Sequence, residues 1–232
     1  MSASLVGSEM CIRDRYNVIS IDFSKMPRDC DSYTDYIDRI ETNLIRDLRK
    51  EYPQIEIYED DSAADVLETI FEECDQQRFV FVLDEWDFIF HKDFVTEENK
   101  KQYVLFLSNL LKDRSYVQLT YMTGILPIKK YGTHSALNMF DEFSMINPGP
   151  LASYVGFTEL EVAALCTDYH MDLDEIKAWY NGYSFEKIPS IYNPRSVVSC
   201  MRFGKIGNYW NQTETFEALQ IYIDMNLSLI HI

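Results

Sequence analysis

Residues 79–84, Phe-Val-Phe-Val-Leu-Asp, form an uninterrupted apolar run that stops on an acid. Such a run suits a strand buried on both faces, the situation of a central strand in a parallel sheet. Two other short runs share its strand-like character, NVISIDF (17–23) and YVQLTYMTG (116–124). Between these runs the apolar residues recur at three- and four-residue spacing, which predicts amphipathic helices. Tyr36, Ile37, Ile40, Leu44 and Leu48 mark one helix from Tyr33 to near Tyr52-Pro53. Val66, Leu67, Ile70 and Phe71 mark a second, opened by Ser62, and Val104, Leu107, Leu110 and Leu111 a third over roughly 97–113. The order strand, helices, strand, helix, strand implies an α/β fold with a parallel sheet and helical crossovers.

After Asn147-Pro148-Gly149-Pro150 the pattern turns helical. Thr158 with Glu161 and Asp172 with Glu175 have the spacing of capping boxes, and Asn181-Gly182 reads as a helix stop. The expected organisation is an α/β core over 16–150 and a mostly helical, lid-like subdomain over 151–226. No internal repeat or low-complexity stretch interrupts either part.

The two ends have a separate origin. Residues 10–14, Met-Cys-Ile-Arg-Asp, back-translate to ATG TGT ATA AGA GAC. Residues 227–232, Leu-Ser-Leu-Ile-His-Ile, back-translate to CTG TCT CTT ATA CAC ATC. Apart from overhanging bases, one string is the reverse complement of the other, so one DNA element in two orientations accounts for both. It resembles the transposase end used to attach sequencing adapters, with SLVGSE (4–9) the adjoining adapter. Residues 1–15 and 227–232 are therefore expected to be adapter-encoded and are left out of fold reasoning. The natural segment is then an internal fragment, Tyr16 to Asn226.

A net charge of −17 belongs wholly to that segment, because Glu9, Asp14, Arg13 and Arg15 cancel. So acidic a surface repels phosphate backbones, which argues against direct nucleic-acid binding. A hydrophobic content of 47% with only eight glycines argues against disorder. The natural cysteines, Cys30, Cys74, Cys166 and Cys200, form no CxxC pair, and His91, His134 and His170 show no ligand spacing. Reduced thiols in a cytoplasm fit better than a disulfide framework or a zinc site. No apolar run is long enough to span a bilayer.

The chemistry-bearing stretch is FVFVLDEWD (79–87). A hydrophobic strand with Asp-Glu at its tip is the pattern of a Walker B element in P-loop nucleotide hydrolases. Asp84 would emerge at the carboxyl end of the strand, where open α/β sheets bind ligands, and hold Mg²⁺ through water. Glu85, one residue on, would orient and polarise the attacking water. In this class a polar residue ending the next strand senses the γ-phosphate, and Thr123-Gly124 stands there. Glu85 and Thr123 are thus the candidate catalytic residues, and Asp84 the nucleotide- and metal-binding one. The bland account is a core strand with a solvated acidic exit, followed by an ordinary strand-end hydroxyl and turn glycine. Lys129 and Lys130 are weighed as phosphate contacts, although lysines after a strand usually point to water. No GxxxxGK[ST] occurs in residues 16–226. Its place, between the first strand and helix of such a fold, lies upstream of Tyr16, so the expected fold is a P-loop NTPase-type sheet truncated of its phosphate loop.

VFVLDEWD (80–87), MTGILPI (122–128), GFTELEV (156–162), WYNGYSF (179–185), IYNPRSV (191–197) and YWNQTE (209–214) together resemble the bacterial predicted AAA-ATPase family. The resemblance spans nearly the whole natural segment. It implies ATP as ligand, Mg²⁺ as cofactor, and commonly a C-terminal nuclease-like domain of the PD-(D/E)XK type in the parent protein. Asp84 and Glu85 fall on the family's Walker B acids and Thr123 on its Thr-Gly. Trp86 stands where tyrosine is usual, and Arg195 inherits no role because its position varies. The aromatics Trp179, Tyr180, Tyr183 and Phe185 are expected to pack the core of the helical part rather than stack on bases.

Two rival readings remain. The chain could be a nucleotide-dependent or degenerate scaffold without turnover. It could, less readily, be a metal-dependent nuclease, since Glu98-Asn99-Lys100 and Glu175-Ile176-Lys177 are ExK triplets. Both triplets fall in predicted helices, whereas that nuclease class needs its Glu and Lys on a strand.

Overall fold

The computed structural model describes residues 16–25, 30–128, 137–144, 147–185 and 188–209. The chain divides into two compact units, Met1–Glu142 and Phe143–Ile232.

The first unit is built on three parallel strands in the order β1-β2-β3: β1 (Asn17–Asp22), β2 (Phe79–Asp84) and β3 (Val117–Met122). Three helices join them, α1 (Tyr33–Glu51) and α2 (Ala63–Glu73) before β2, and α3 (Glu97–Leu111) before β3. Each helix starts on a side chain that satisfies an orphan backbone donor. Ser32 accepts from the Asp35 N–H at 3.1 Å. Ser62 with Asp65, and Thr96 with Asn99, form reciprocal capping boxes. The inner stripes match the sequence periodicity: Tyr36, Ile40, Leu44 and Leu48 in α1, Val66, Leu67 and Ile70 in α2, and Tyr103, Val104, Leu107, Leu110 and Leu111 in α3.

These stripes gather on one side of the sheet. Tyr103 meets Phe23 edge-on at 5.9 Å between ring centroids. Tyr52, capping α1, meets Phe79 at 6.2 Å, and Tyr116 meets Phe81 at 6.3 Å. Tyr36 donates from its hydroxyl to the Phe23 carbonyl at 3.0 Å, so a buried phenol keeps its hydrogen bond.

The expectation that residues 79–84 are buried on both faces is corrected here. Phe79, Phe81 and Leu83 are buried, but Val80 and Val82 are only half-buried. Their register partners Leu119 and Tyr121 are 58% and 51% exposed. The helices cover one face, and side chains alternate across a strand, so every second residue escapes them.

The second unit begins with a 3-10 turn, Gly149–Tyr154, and β4 (Phe157–Thr158), then α4 (Glu159–Tyr169) and α5 (Leu173–Tyr180). A hairpin of β5 (Asn181–Phe185) and β6 (Ile188–Tyr192) leads to α6 (Pro194–Phe203). Helices predominate, but the strands form an antiparallel sheet in the order β4-β6-β5, which the sequence reading did not anticipate. Val162, Cys166, Ile176, Tyr180, Tyr192 and Val197 fill the core. Thr158 and Glu161 form the expected capping box. At α5 only half of the second one forms: Asp172 accepts from the Glu175 N–H at 2.8 Å. The return contact would set the Glu175 carboxylate against the negative charge of Asp172.

The aromatic stretch also departs from expectation. Tyr180 is buried, but Trp179 and Tyr183 are 57% and 40% exposed. Trp179 and Tyr180 are adjacent on a helix and lie about 100° apart around it, so a narrow core can hold only one. Tyr209 of the YWNQTE segment is described, while its remaining residues, Lys129, Lys130 and the adapter-like ends lie outside the described residues.

Candidate functional site

The carboxyl ends of the three parallel strands bring together residues far apart in the chain. Asp22, the last residue of β1, is in register with Asp84, the last residue of β2. Thr123 follows β3 directly, and its hydroxyl donates to an Asp84 carboxylate oxygen. Backbone bonds stitch the tips: Thr123 N–H to Leu83 O at 2.8 Å, Trp86 N–H to Thr123 O at 3.0 Å, and Phe23 N–H to Asp84 O at 3.0 Å. The three residues named from sequence, Asp84, Glu85 and Thr123, are thus gathered on one edge of the sheet.

Glu85 has left-handed backbone geometry, with φ of 51°. This region is disfavoured for a residue with a Cβ, and such strain collects at functional sites. The turn carries Glu85 off the line of β2 while Trp86 and Asp87 drop into the core, 3% and 2% exposed. The Glu85 carboxyl is pushed above its ordinary 4.5, first by partial desolvation, then by the negative charges of Asp84, Asp22 and Asp87. Asp22 goes the other way, below its ordinary 3.8. Its largest cause is the hydrogen bond from the Ser24 hydroxyl at 2.6 Å; burial opposes it, and Lys25 at 3.0 Å adds to it. One edge therefore carries a carboxylate held ionised and another with raised basicity.

Sequence reasoning missed Asp22 and Asp87. For Asp22 the signal was present, since VISID repeats the pattern of an apolar strand ending in an acid. For Asp87 there was none, because its partners are 38 and 39 residues away. Both of its carboxylate oxygens accept from the Ile125 N–H, at 3.2 and 3.1 Å, and one also from the Leu126 N–H at 2.7 Å.

A model of the family described as Predicted AAA-ATPase matches residues 5–133, more than half of the chain. The chain belongs to the predicted AAA-ATPase family. Asp84, Glu85 and Thr123 all fall inside the matched range of this AAA-ATPase-like chain. It is also similar to a protein named "Uncharacterized protein in vnfD 5′region" from Azotobacter chroococcum mcd 1. The two are 28% identical over 145 residues, which is 60% of this chain and 28% of the relative's length. No solved structure matches.

Other residues singled out from the AAA-ATPase-like sequence lie elsewhere. Glu98-Asn99-Lys100 lies in α3 and Glu175-Ile176-Lys177 in α5, both helical and neither on a strand. Arg195 is exposed in the first turn of α6. Cys30, Cys74, Cys166 and Cys200 are free thiols. Among the described residues, no three or more His, Cys, Asp or Glu side chains form a set that could hold a metal ion. No described helix is long and apolar enough to cross a membrane.

Proposed function

We propose that this edge is the hydrolytic half of a Mg²⁺-dependent ATPase module in the parent protein, a Walker B element with its sensor strand. The observation that carries the reading is the convergence of Asp84, Glu85 and Thr123 at the carboxyl ends of neighbouring parallel strands. That is where open α/β sheets bind their ligands.

The Asp84 carboxylate is a hard oxygen donor of the kind Mg²⁺ takes. Asp84 would hold Mg²⁺ through water, and the bound ion would supply positive charge against the phosphates. Glu85 orients the attacking water and takes its proton, a task for which a raised pKa is better suited than an ordinary carboxylate's. Thr123 links the sheet edge to the γ-phosphate: a phosphate oxygen would compete with Asp84 for its hydroxyl proton.

No phosphate-cradling GxxxxGK[ST] loop occurs in residues 16–226, and that loop is what supplies such a site's backbone donors and lysine. This chain alone is therefore expected to bind ATP weakly and not to turn it over. The adapter origin of residues 1–15 and 227–232, and a nuclease-like C-terminal domain in the parent, belong to the same proposal.

The test is to recover the natural coding sequence upstream of Tyr16 from the source DNA, express the extended protein, and measure Mg²⁺-dependent ATP hydrolysis. Turnover is expected, with Glu85→Gln lowering kcat by about 100-fold or more and leaving ATP binding intact. An extended protein that binds ATP but shows no turnover, or turnover indifferent to Glu85→Gln, overturns the reading in favour of a scaffold.

A further inference from the structure

Two residues past Glu85 the chain carries a carboxylate that faces away from solvent. Asp87 is 2% exposed, yet its partners are backbone rather than a cation at contact distance: the N–H groups of Ile125 and Leu126, at distances between 2.7 and 3.2 Å. The imidazole Nε2 of His91 stands 3.9 Å from Oδ2. An ionised acid accepting from backbone N–H makes charge-assisted hydrogen bonds, stronger than those between neutral groups. Here they fall on the two residues that follow Thr123-Gly124.

The same turn is gripped from its other side. The Trp86 N–H donates to the Thr123 carbonyl at 3.0 Å, and the Trp86 carbonyl accepts from the buried Tyr103 hydroxyl at 2.7 Å. Gly124 passes so close that a Cβ there would lie 2.3 Å from Trp86 Cδ1 and 2.6 Å from Asp87 Oδ1. Thr123 therefore enters a turn whose next three residues are fixed, one by lack of space and two by hydrogen bonds to one buried acid.

We infer that Asp87 is a positioning residue for the sensor: by clasping the Ile125 and Leu126 N–H groups it holds the Thr123 hydroxyl on Asp84. This rests on the reading of Thr123 as sensor and adds to it a device that moves β2 and β3 tips as one body. The clasp spans the two strand ends covalently joined to the metal-binding and sensing residues. Loss of the clasp frees the turn, and Thr123 then samples other side-chain rotamers.

The first experiment uses this chain as it stands. Amide exchange should show Ile125 and Leu126 protected although Ile125 is 49% exposed; exchange of both at free-coil rates overturns the clasp without any variant. In Asp87→Asn, which keeps the size but loses the charge and an acceptor, three-bond couplings should show the Thr123 side chain change from one rotamer to an average. A single unchanged rotamer in the folded variant overturns the positioning role. The second experiment uses the upstream-extended protein. Asp87→Asn should lower kcat about tenfold, well below its unfolding temperature, with KM for ATP changed less than about threefold. An unchanged kcat reduces Asp87 to a structural acid and overturns the inference. If the wild-type extended protein has no turnover while Thr123 still averages in Asp87→Asn, the ATPase reading falls and the clasp stands.

Discussion

The Thr123 hydroxyl donates its hydrogen bond to the Asp84 carboxylate across the tips of two parallel strands, β3 and β2. The two residues are 39 positions apart in sequence, and the parallel register alone makes them neighbours. A donor already engaged on the acid defines the resting arrangement from which a nucleotide would have to draw it.

Thr123→Val keeps the β-branched shape and removes the donor. In the upstream-extended protein it is expected to lower kcat by about tenfold or more, the equivalent of ~1.4 kcal/mol, whereas Thr123→Ser retains most of the rate. Steady-state kinetics with both variants provide the check, and a valine variant as fast as wild type removes Thr123 from the mechanism.

The Glu85 carboxyl is expected to titrate above 4.5, by carbon-detected NMR of the side chain in this chain. Asp84→Asn removes one of the charges that raise it and should bring the value down. The sign for stability follows. The folded carboxyl holds its proton more tightly than the unfolded one, so this group favours folding most below pH 4.5, and the contribution is lost as pH rises through the raised value. A Glu85 titration at or below 4.5 contradicts the crowding of acids at this edge.

Gly124→Ala is expected to destabilise the first unit by about 1–3 kcal/mol, the usual cost of forcing a methyl group into filled space. The ring of Trp86 and the carboxylate of Asp87 already occupy the position. Urea unfolding followed by circular dichroism reads the shift, and an unchanged midpoint shows that the turn yields.

Tyr103→Phe keeps the ring packed against Phe23 and Phe90, at 5.9 and 5.8 Å, but strips the donor from the Trp86 carbonyl. A buried acceptor left unpaired costs about 1–3 kcal/mol. The same unfolding measurement is expected to register it, and a fully stable variant means that water replaces the phenol.

What the sequence revealed and what it withheld divide along the range of the interactions. The runs at 17–23, 79–84 and 116–124 and the stripes of α1, α2 and α3 are local patterns, and the order of those patterns implies the parallel sheet. Asp84 and Glu85 stand out because an acid pair ends an apolar run. Val80 and Val82 misled, because an apolar residue records only what a face tolerates, and one face carries no described helix. The sheet of β4, β6 and β5 went unread for a different reason. Its strands are two and five residues long, and Gly182 and Pro189 are poor strand formers. Asp87 was beyond reach because its partners, Ile125 and Leu126, sit in the turn after the neighbouring strand, and a register cannot be read from either strand alone.

The backbone of Glu85 carries one last consequence. A left-handed residue with a side chain costs on the order of 1–2 kcal/mol that glycine would spare, so a chain shaped for durability alone would set glycine at position 85. Glutamate there trades robustness for a carboxyl group aimed off the strand. The Glu85→Gly protein should be the tougher molecule of the two, and the one with nothing left to offer a water molecule.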